Sequence, residues 1–326
     1  GFLGHNLIPA LTQAGYQVKA LVRPTSSADF LKSHNVEVVV GDVLDRDSLM
    51  EAMKGCRYVI HGAGLFRLWG DQKSFEQVNA QGTAHVLEAA LRNNVERFVH
   101  VSTIAVVGIP ENGRVIDESY PCQPDDFYQR SKYDAENIVR MFALSARVPA
   151  IIVRPGAFYG PWGHYALNRL FFEDPMRGLR VQVYKGLRLT FPAFVPDVAQ
   201  GIIAALERGR VGETYNVSGE SITHAEAGRI ISKLAGMSAW RLDCPPGLML
   251  WLARQMERLA SETHREPFYP VALAKYVFYD WPVSSDKARN ELGWTPTPFE
   301  EGARQTVEWY RAMGWGKGRK AGGSSQ

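Results

Sequence analysis

Hydrophobic and polar positions follow two alternating periods in the first half of the chain. Short apolar segments, typical of strands buried on both faces, are separated by longer segments in which apolar residues recur every three or four positions. The strands are predicted at residues 17–22, 36–40, 58–61, 97–102 and 150–153. The helices are predicted at residues 5–14, 46–54, 75–93 and 128–145. This order predicts an α/β fold, a doubly wound parallel sheet with helices on both faces.

The regular pattern ends near Gly156. Proline and aromatic residues crowd the segment 155–194, and helical periodicity returns at 198–208, 224–235, 248–260 and 299–313. We therefore predict a first domain over 1–156, to which some later segments return. A smaller, mostly helical lobe follows over 157–313, and a Gly-, Lys- and Ser-rich tail over 314–326 is predicted to be disordered.

Composition excludes several classes of protein. The chain has 326 residues, of which 45% are hydrophobic and 22% charged, as in ordinary globular proteins. A net charge of only +3 does not indicate a nucleic-acid-binding protein. The cysteines are far apart, so we predict no metal site and a reducing, cytoplasmic location. The apolar stretch at 248–253 is too short to span a membrane, although the segment 247–260, with Trp251, has an apolar face that could rest on one.

The chain begins with a glycine-rich segment that is directly followed by a predicted helix. Gly1 and Gly4 are typical of a dinucleotide-binding turn, where the missing Cβ atoms let the main chain approach a pyrophosphate; a plain turn is the alternative. We interpret this opening as the middle of such a turn and the sequence as a fragment. The next strand is followed by Arg23, and no carboxylate stands at its end. A guanidinium there favours NADP(H), and NAD(H) is the alternative cofactor. The other interpretation of Arg23 is a solvated loop charge.

Three residues form a candidate catalytic set. Tyr128 and Lys132 are four apart on a predicted helix and share one face, and Thr103 follows the strand at 97–102, at the carboxyl edge of the sheet. A lysine ammonium, together with a nicotinamide ring, would lower the pKa of Tyr128 from about 10 toward neutral pH. Thr103 would hydrogen-bond the substrate oxygen and hold it beside Tyr128.

Together with further segments, these residues resemble the extended short-chain dehydrogenase/reductase superfamily, in its NAD-dependent epimerase/dehydratase branch. The matching segments occur in the family's order over almost the whole chain. They include Gly1-Phe2-Leu3-Gly4, Gly41-Asp42-Val43, His61-Gly62-Ala63-Gly64, Val78-Asn79-Ala80-Gln81-Gly82-Thr83, Val101-Ser102-Thr103, Tyr128-Gln129-Arg130-Ser131-Lys132, Arg154-Pro155-Gly156, Phe194-Val195-Pro196-Asp197-Val198 and Leu292-Gly293-Trp294-Thr295-Pro296.

The resemblance implies a Rossmann fold and assigns roles to these positions. Asp42 and Val43 would flank the adenine, and the main chain of Gly62, Ala63 and Gly64 would line the cofactor. Lys132 would also hold the nicotinamide ribose. Pro155 and Gly156 would border the nicotinamide. Asn79 would order the site or serve as a buried structural residue. Asp197 would stabilise the join between the lobes. His61, His100 and His164 are expected to pack or hydrogen-bond rather than bind metal. A homodimer would form through the helices at 75–93 and 128–145.

Two departures from the family pattern change the expectations. Thr103 stands where the family more often has Ser, which preserves the hydroxyl. The family's first strand is missing before Gly1. Because that strand is central in the family's sheet, we predict that the chain as given is unstable and binds cofactor poorly.

Several reactions remain open at this stage. Sugar 4,6-dehydratases place an Asp-Glu pair after the Thr, where this chain has Ile104-Ala105, so dehydration is disfavoured. The first hypothesis is an oxidoreductase acting on a carbonyl or secondary alcohol of a largely apolar small molecule. This hypothesis predicts a substrate cleft lined mainly by aromatic side chains. The candidates are Phe66, Leu68, Trp69, Phe158, Tyr159, Trp162 and Tyr165. The alternative is that these side chains belong to the hydrophobic core.

The second hypothesis is a nucleotide-sugar epimerase that uses the same Thr–Tyr–Lys set. This hypothesis predicts basic side chains that bind the substrate's diphosphate. The candidates are Arg169, Arg177, Arg180, Lys185 and Arg188. The alternative is that these residues are solvated surface charges. A third hypothesis is a cofactor-binding regulator without catalysis.

Overall fold

The computed structural model describes residues 1–145, 148–263 and 265–315. Its α-helices, α1 to α13 in chain order, are Phe2–Gln13, Asp29–Lys32, Arg46–Ala52, Gln72–Phe75, Gly82–Arg92, Phe127–Leu144, Asp174–Met176, Val195–Arg208, His224–Ala235, Pro246–Thr263, Ala274–Phe278, Asp286–Leu292 and Phe299–Ala312. Its strands, β1 to β12, are Lys19–Val22, Glu37–Val40, Tyr58–His61, Arg97–Val101, Ala150–Pro155, Ala157–Tyr159, Val181–Gln182, Leu189–Thr190, Pro192–Phe194, Thr214–Val217, Ile222–Thr223 and Leu242–Asp243.

Parallel strands form the centre of the first domain, as the alternating pattern predicted. Four of them are hydrogen-bonded in the order β10-β5-β4-β3, and β1 pairs in parallel with β2 in a separate ladder. No ladder among the described residues joins β1 to β3, although both strands line the same large cavity. The predicted Rossmann-type α/β fold is confirmed.

Helices cover both faces of this sheet and bury its apolar strands. On one face α1 and α8 pack Leu7, Leu11 and Ile202 against β4 and β5. On the other face α3, α5 and α6 bury Leu49, Leu87 and other apolar side chains against Phe98 and its neighbours. The strands buried on both sides are accordingly rich in apolar residues, although His61, His100 and Arg154 also lie in them.

Two elements from later in the chain lie on the sheet. The helix α8 lies on the sheet, and β10 extends it by pairing with β5. The smaller lobe has its own core, in which Phe172, Phe194 and Tyr310 are buried among other apolar side chains. Trp315, expected in a disordered tail, packs against this core, and its ring centre lies 5.5 Å from that of Tyr310. Gly314, also expected in that tail, donates a main-chain hydrogen bond to the Arg311 carbonyl at 3.0 Å. The rest of the predicted tail, 316–326, lies outside the described residues.

The helix α10 has apolar side chains on its surface. Leu248, Trp251 and Leu259 are exposed there, while Ala253 and Ala260 are buried. None of the described helices is both long and apolar enough to cross a membrane. Peripheral contact of this helix with a membrane stays a prediction.

Candidate active site

A cavity of about 2260 Å³ extends from the gap between β1 and β3 to the carboxyl ends of the strands, and nearly all the predicted site residues line it. The residues that line it are Gly1, Gly4, Arg23, Asp42, Val43, Gly62, Ala63, Gly64, Thr103, Tyr128, Lys132, Pro155 and Gly156. Asn79 is the one predicted site residue that does not line the cavity. Residues far apart in the sequence thus meet at one sheet edge, where open parallel sheets bind their ligands.

Tyr128 is held in the first turn of α6. Asp126 caps this helix by accepting a hydrogen bond from the main-chain N–H of Gln129 at 2.7 Å. The Tyr128 ring packs against Phe66, with ring centres 4.9 Å apart, and its hydroxyl is hydrogen-bonded to the side chain of Thr103. Burial among aromatic rings raises the pKa of Tyr128, and the Thr103 hydrogen bond opposes this only partly.

Lys132 lies one helical turn further on and is buried. Its Nζ donates a 2.8 Å hydrogen bond to the main-chain carbonyl of Val101. Burial lowers the pKa of Lys132 to about 8, against the opposing charge of Glu136. The sequence predicted that Lys132 and a bound nicotinamide ring together would lower the pKa of Tyr128, and that stays a prediction. For the protein alone, burial raises the pKa of Tyr128, because spacing on a helix says nothing about how far a hydroxyl is desolvated.

A buried ion pair, which the sequence analysis missed, supports this helix face. Glu136 lies one turn beyond Lys132 and is fully buried. It accepts hydrogen bonds from Arg154 Nε at 2.8 Å and Nη2 at 2.6 Å, and from Arg140 at 2.7 Å. The ion pair lowers the pKa of Glu136 although burial acts the other way. Arg154 comes just before Pro155 and Gly156, so the pair fixes α6 to the end of β5.

Asn79 orders the loop 62–65 from behind. It lies in a π-helical segment, Glu76–Gln81, and is 1% exposed. Its Oδ1 accepts from the Leu65 N–H at 2.7 Å, and its Nδ2 donates to the Leu65 carbonyl at 3.0 Å and to Ser131 Oγ at 2.9 Å. A Cβ at Gly64 would lie 3.2 Å from Asn79 Oδ1, so the loop has little room for a side chain there. The contacts agree with the ordering role considered for Asn79.

The opposite end of the cavity has the features of a dinucleotide site. A Cβ built on Gly1 or Gly4 would meet no atom within 4 Å, so the main chain at the start of α1 faces open space. Arg23, Ser26 and Ser27 line the cavity beyond the end of β1. Among the ion pairs of the described residues none involves Arg23. The glycines and this cation fit a dinucleotide with a phosphate near Arg23.

The side chains predicted for the substrate cleft, all aromatic except Leu68, divide into two groups. Phe66, Leu68, Phe158 and Tyr165 line the cavity. Trp69, Tyr159 and Trp162 do not. Tyr159 is 2% exposed and belongs to the core of the lobe, as the alternative interpretation allowed.

The basic residues predicted for a diphosphate do not line this cavity. Arg169 lies 3.6 Å from Asp174 and over the ring of Phe268, and Arg188 pairs with Asp280 at 2.7 Å. Arg177 lies over the ring of Trp315. Arg180 and Lys185 are also absent from the cavity wall. None of the five basic residues therefore lies on the wall of this cavity.

The sequence analysis missed a second wall of the cleft. It is supplied by residues of the lobe: Leu170, Phe171, Phe191, His224, Leu273, Tyr276 and Val277. Lys275, between them, pairs with Asp125 and, at 2.9 Å, with Asp126. Tyr276 accepts a 3.2 Å hydrogen bond from Gln129. These ion pairs and this hydrogen bond therefore hold the second wall against the start of α6, the helix that carries Tyr128.

The three histidines considered earlier contact protein groups or are buried. His61 Nε2 is 2.9 Å from Thr83 Oγ1, and His164 Nδ1 is 2.6 Å from Glu173. His100 is fully buried, and its ring lies 5.4 Å from that of His61. Burial lowers the pKa of His61 to about 3, so this imidazole is neutral at physiological pH.

Comparisons with known proteins define the class of this protein. The model of the NAD dependent epimerase/dehydratase family matches residues 1–218. The chain is 30% identical to a putative dihydroflavonol 4-reductase of Synechocystis sp., over 97% of this chain and 94% of that one. It belongs to this family and is thus an enzyme of the extended short-chain dehydrogenase/reductase superfamily.

Other relatives show how varied the reactions are within this likeness. A ketoreductase of Stigmatella aurantiaca, named for 4-hydroxy-2-methyl-3-oxo-4-farnesyl-3,4-dihydroquinoline-1-oxide, is 31% identical over 90% of this chain and 89% of its own. A dTDP-glucose 4,6-dehydratase of Streptomyces niveus is 29% identical over 95% and 90%. The crystal structure of gox2253 has a TM-score of 0.82 at 30% identity, covering 96% of both chains.

Proposed function

We propose that this enzyme is an NADP(H)-dependent oxidoreductase that interconverts a carbonyl and a secondary alcohol on a largely apolar small molecule. The observation that carries the proposal is the composition of the cleft beside Tyr128. Aromatic and aliphatic side chains form its wall, while the five basic residues considered for a sugar diphosphate lie elsewhere. Such a wall suits an apolar substrate.

The protonation state of Tyr128 suits the reductive direction. Because burial raises the pKa of Tyr128, its hydroxyl is protonated at neutral pH and can donate a proton to a substrate carbonyl oxygen. The Thr103 hydroxyl, already hydrogen-bonded to Tyr128, would hold that oxygen. NADPH, when bound, supplies the hydride that goes to the carbonyl carbon, so hydride and proton together give the alcohol. Lys132 would stabilise the phenolate that remains after proton transfer.

The residues after Thr103 do not supply the chemistry of a dehydratase. Ile104 and Ala105 are buried and apolar, and the Ala105 N–H donates to Thr103 Oγ1 at 3.2 Å. Elimination of water needs an additional acid and base near the substrate, and these two side chains can be neither. This observation favours hydride transfer over dehydration.

Arg23 supports the preference for NADP(H). A guanidinium at the end of β1 can pair with a 2′-phosphate, whereas NAD(H) sites usually carry a carboxylate there. We expect Arg23→Ala to lower kcat/KM with NADPH by about 10- to 100-fold, the loss of charge-assisted hydrogen bonds, and to leave NADH almost unaffected. Lys32→Ala, which removes an exposed cation outside the cavity, is the matched control.

The experiment that tests the whole proposal begins with the bound nucleotide. The protein, with a β-strand added before Gly1, is purified without added nucleotide, denatured, and assayed for released NAD(H) and NADP(H). We expect little bound nucleotide, reversible uptake of NADPH, and NADPH consumption with apolar ketones. Stoichiometric, tightly held NAD would contradict the proposal, because an epimerase regenerates its cofactor in each turnover and need not release it.

A further inference from the structure

The loop between β3 and α4, residues 62–71, carries an aromatic side chain that contacts Tyr128 without being buried. Phe66 lines the cavity and is 44% exposed, and its ring centre lies 4.9 Å from that of Tyr128. A loop side chain with so few buried contacts is not held in place by the protein core. The position of Phe66 beside Tyr128 therefore depends on what holds the loop.

This loop is hydrogen-bonded to other segments on both sides of Phe66. Before Phe66, the main-chain N–H and carbonyl of Leu65 both bond to the side chain of Asn79, a residue of the first domain. After Phe66, the Leu68 N–H donates a 3.0 Å hydrogen bond to the hydroxyl of Tyr165, a residue of the lobe. Phe66 thus lies between two attachment points, one on the first domain and one on the lobe.

The Tyr165 side chain is fixed by contacts at its hydroxyl and at its ring. The hydroxyl donates its proton to the carboxylate of Glu266, so its oxygen accepts from Leu68 while its hydrogen is also bonded. A hydrogen bond to a carboxylate is stronger than one between neutral groups, and bonds in such a chain strengthen each other. The Tyr165 ring lies edge-on to that of Phe66, with the centres 5.4 Å apart. Phe66 therefore contacts the rings of both Tyr165 and Tyr128.

We propose that Tyr165 is a positioning residue, which holds Phe66 against Tyr128 through its hydrogen bond to Leu68 and its ring contact with Phe66. This inference rests on the proposed function, in which Tyr128 gives its proton to the substrate carbonyl. The rate of such a proton transfer depends on how closely the donor is held in the productive geometry. A residue of the lobe thus acts on the proton donor through Phe66.

The first test observes Tyr128 without turnover, in protein that carries a β-strand added before Gly1. The 13 tyrosines are labelled with ¹³C at Cζ, and the Tyr128 resonance is the one that is lost in Tyr128→Phe. Tyr165→Phe keeps the ring and removes both hydrogen bonds of the hydroxyl, so the Tyr128 resonance should shift. Tyr269→Phe is the matched control and should leave it in place. It removes a hydroxyl that donates to Asp174 at 3.0 Å, in the same lobe but away from the cavity wall.

The second test measures whether the effect of Tyr165 passes through Phe66. Tyr165→Phe should lower kcat for ketone reduction about fivefold, the loss of one hydrogen bond, with little change in KM or in the Kd for NADPH. In a Phe66→Leu background the same substitution should change kcat less than about twofold and no longer shift the Tyr128 resonance, because the ring through which it acts is gone. Glu266→Gln, which keeps an acceptor oxygen for the Tyr165 hydroxyl, should retain most of the wild-type kcat.

The two tests separate this inference from the proposed function. A Tyr128 resonance that stays in place in Tyr165→Phe would overturn the inference. An active enzyme whose kcat is unchanged by Tyr165→Phe, or falls equally with and without the Phe66 ring, would also overturn it. If the wild type reduces no ketone, the proposed function fails, and the resonance alone decides whether Tyr165 positions Tyr128.

Discussion

The buried ammonium of Lys132 should make the folded protein less stable than its methionine variant. Lys132 is 5% exposed, and burial lowers its pKa from the ordinary 10.5 to about 8. At pH 7 the lysine is charged in both the folded and the unfolded chain. The difference between the two pKa values then corresponds to about 3 kcal/mol of lost stability. Lys132→Met removes this cost, and also the hydrogen bond to Val101, which contributes about 1 kcal/mol. We expect the variant to be more stable by about 2 kcal/mol at pH 7.

The pH dependence of this difference identifies its cause. Between pH 8 and pH 10.5 the unfolded chain binds more protons at this lysine than the folded chain does. The free energy of unfolding of the wild type therefore rises with pH in this window, and the cost of burial falls below about 1 kcal/mol at pH 10. The stability gained by Lys132→Met should disappear there, whereas its loss of activity should remain at both pH values.

Urea unfolding followed by tryptophan fluorescence, at pH 7 and pH 10 and equal ionic strength, measures both effects. Lys32→Met, on an exposed helix, is the control, and its effect on stability should be small and equal at the two pH values. A Lys132→Met variant that is less stable than the wild type at pH 7, or one whose difference from it does not change with pH, would refute the reasoning.

Three other predictions concern the site and its surroundings. Tyr128→Phe should lower kcat for ketone reduction by about 10²- to 10⁴-fold without changing the Kd for NADPH; unchanged kcat would exclude Tyr128 as the proton donor. Glu136→Gln should destabilise the protein by about 3–5 kcal/mol in urea unfolding, because it leaves the 2% exposed Arg154 without its counter-charge; a loss below about 1 kcal/mol would contradict this. Since β1 and β3 line one cavity with no ladder joining them, the 326-residue chain should bind a hydrophobic dye and unfold at low temperature. A cooperative calorimetric transition at high temperature would disprove it.

Local patterns were sufficient to predict most of the first domain. The apolar period placed α6 within one residue of its start at Phe127, which follows the Asp126 cap. The strand β10 was not predicted. It has four residues, and pairing with β5, distant in sequence, is what makes it a strand. Short strands of this kind are defined by tertiary contacts rather than by their own sequence.

The pKa values of the site residues were harder to predict than which residues line the site. Thr103, Tyr128 and Lys132 do line one cavity, as the spacing suggested. The direction of the Tyr128 pKa shift was not predicted, because the decisive influence is desolvation by rings from other segments. Phe66, in the loop after β3, packs against the Tyr128 ring. Phe75, on α4, has its ring centre 6.3 Å from that of Tyr128. Neither neighbour can be inferred from the helix that carries Tyr128.

The proposed function places chemistry and specificity on different parts of this chain. The candidate reacting groups lie at the sheet edge and on α6, whereas the distal wall comes from separate lobe segments around Phe171, His224 and Tyr276. The lobe wall contacts the start of α6 through the Lys275–Asp126 ion pair and the hydrogen bond from Gln129 to Tyr276. These contacts position the wall and do not involve Thr103, Tyr128 or Lys132. Substitutions in that wall should therefore change KM for different substrates and leave the pH dependence of kcat unaltered. With this division, relatives can share the reacting groups and differ in the lobe wall, so the family resemblance alone does not identify the substrate.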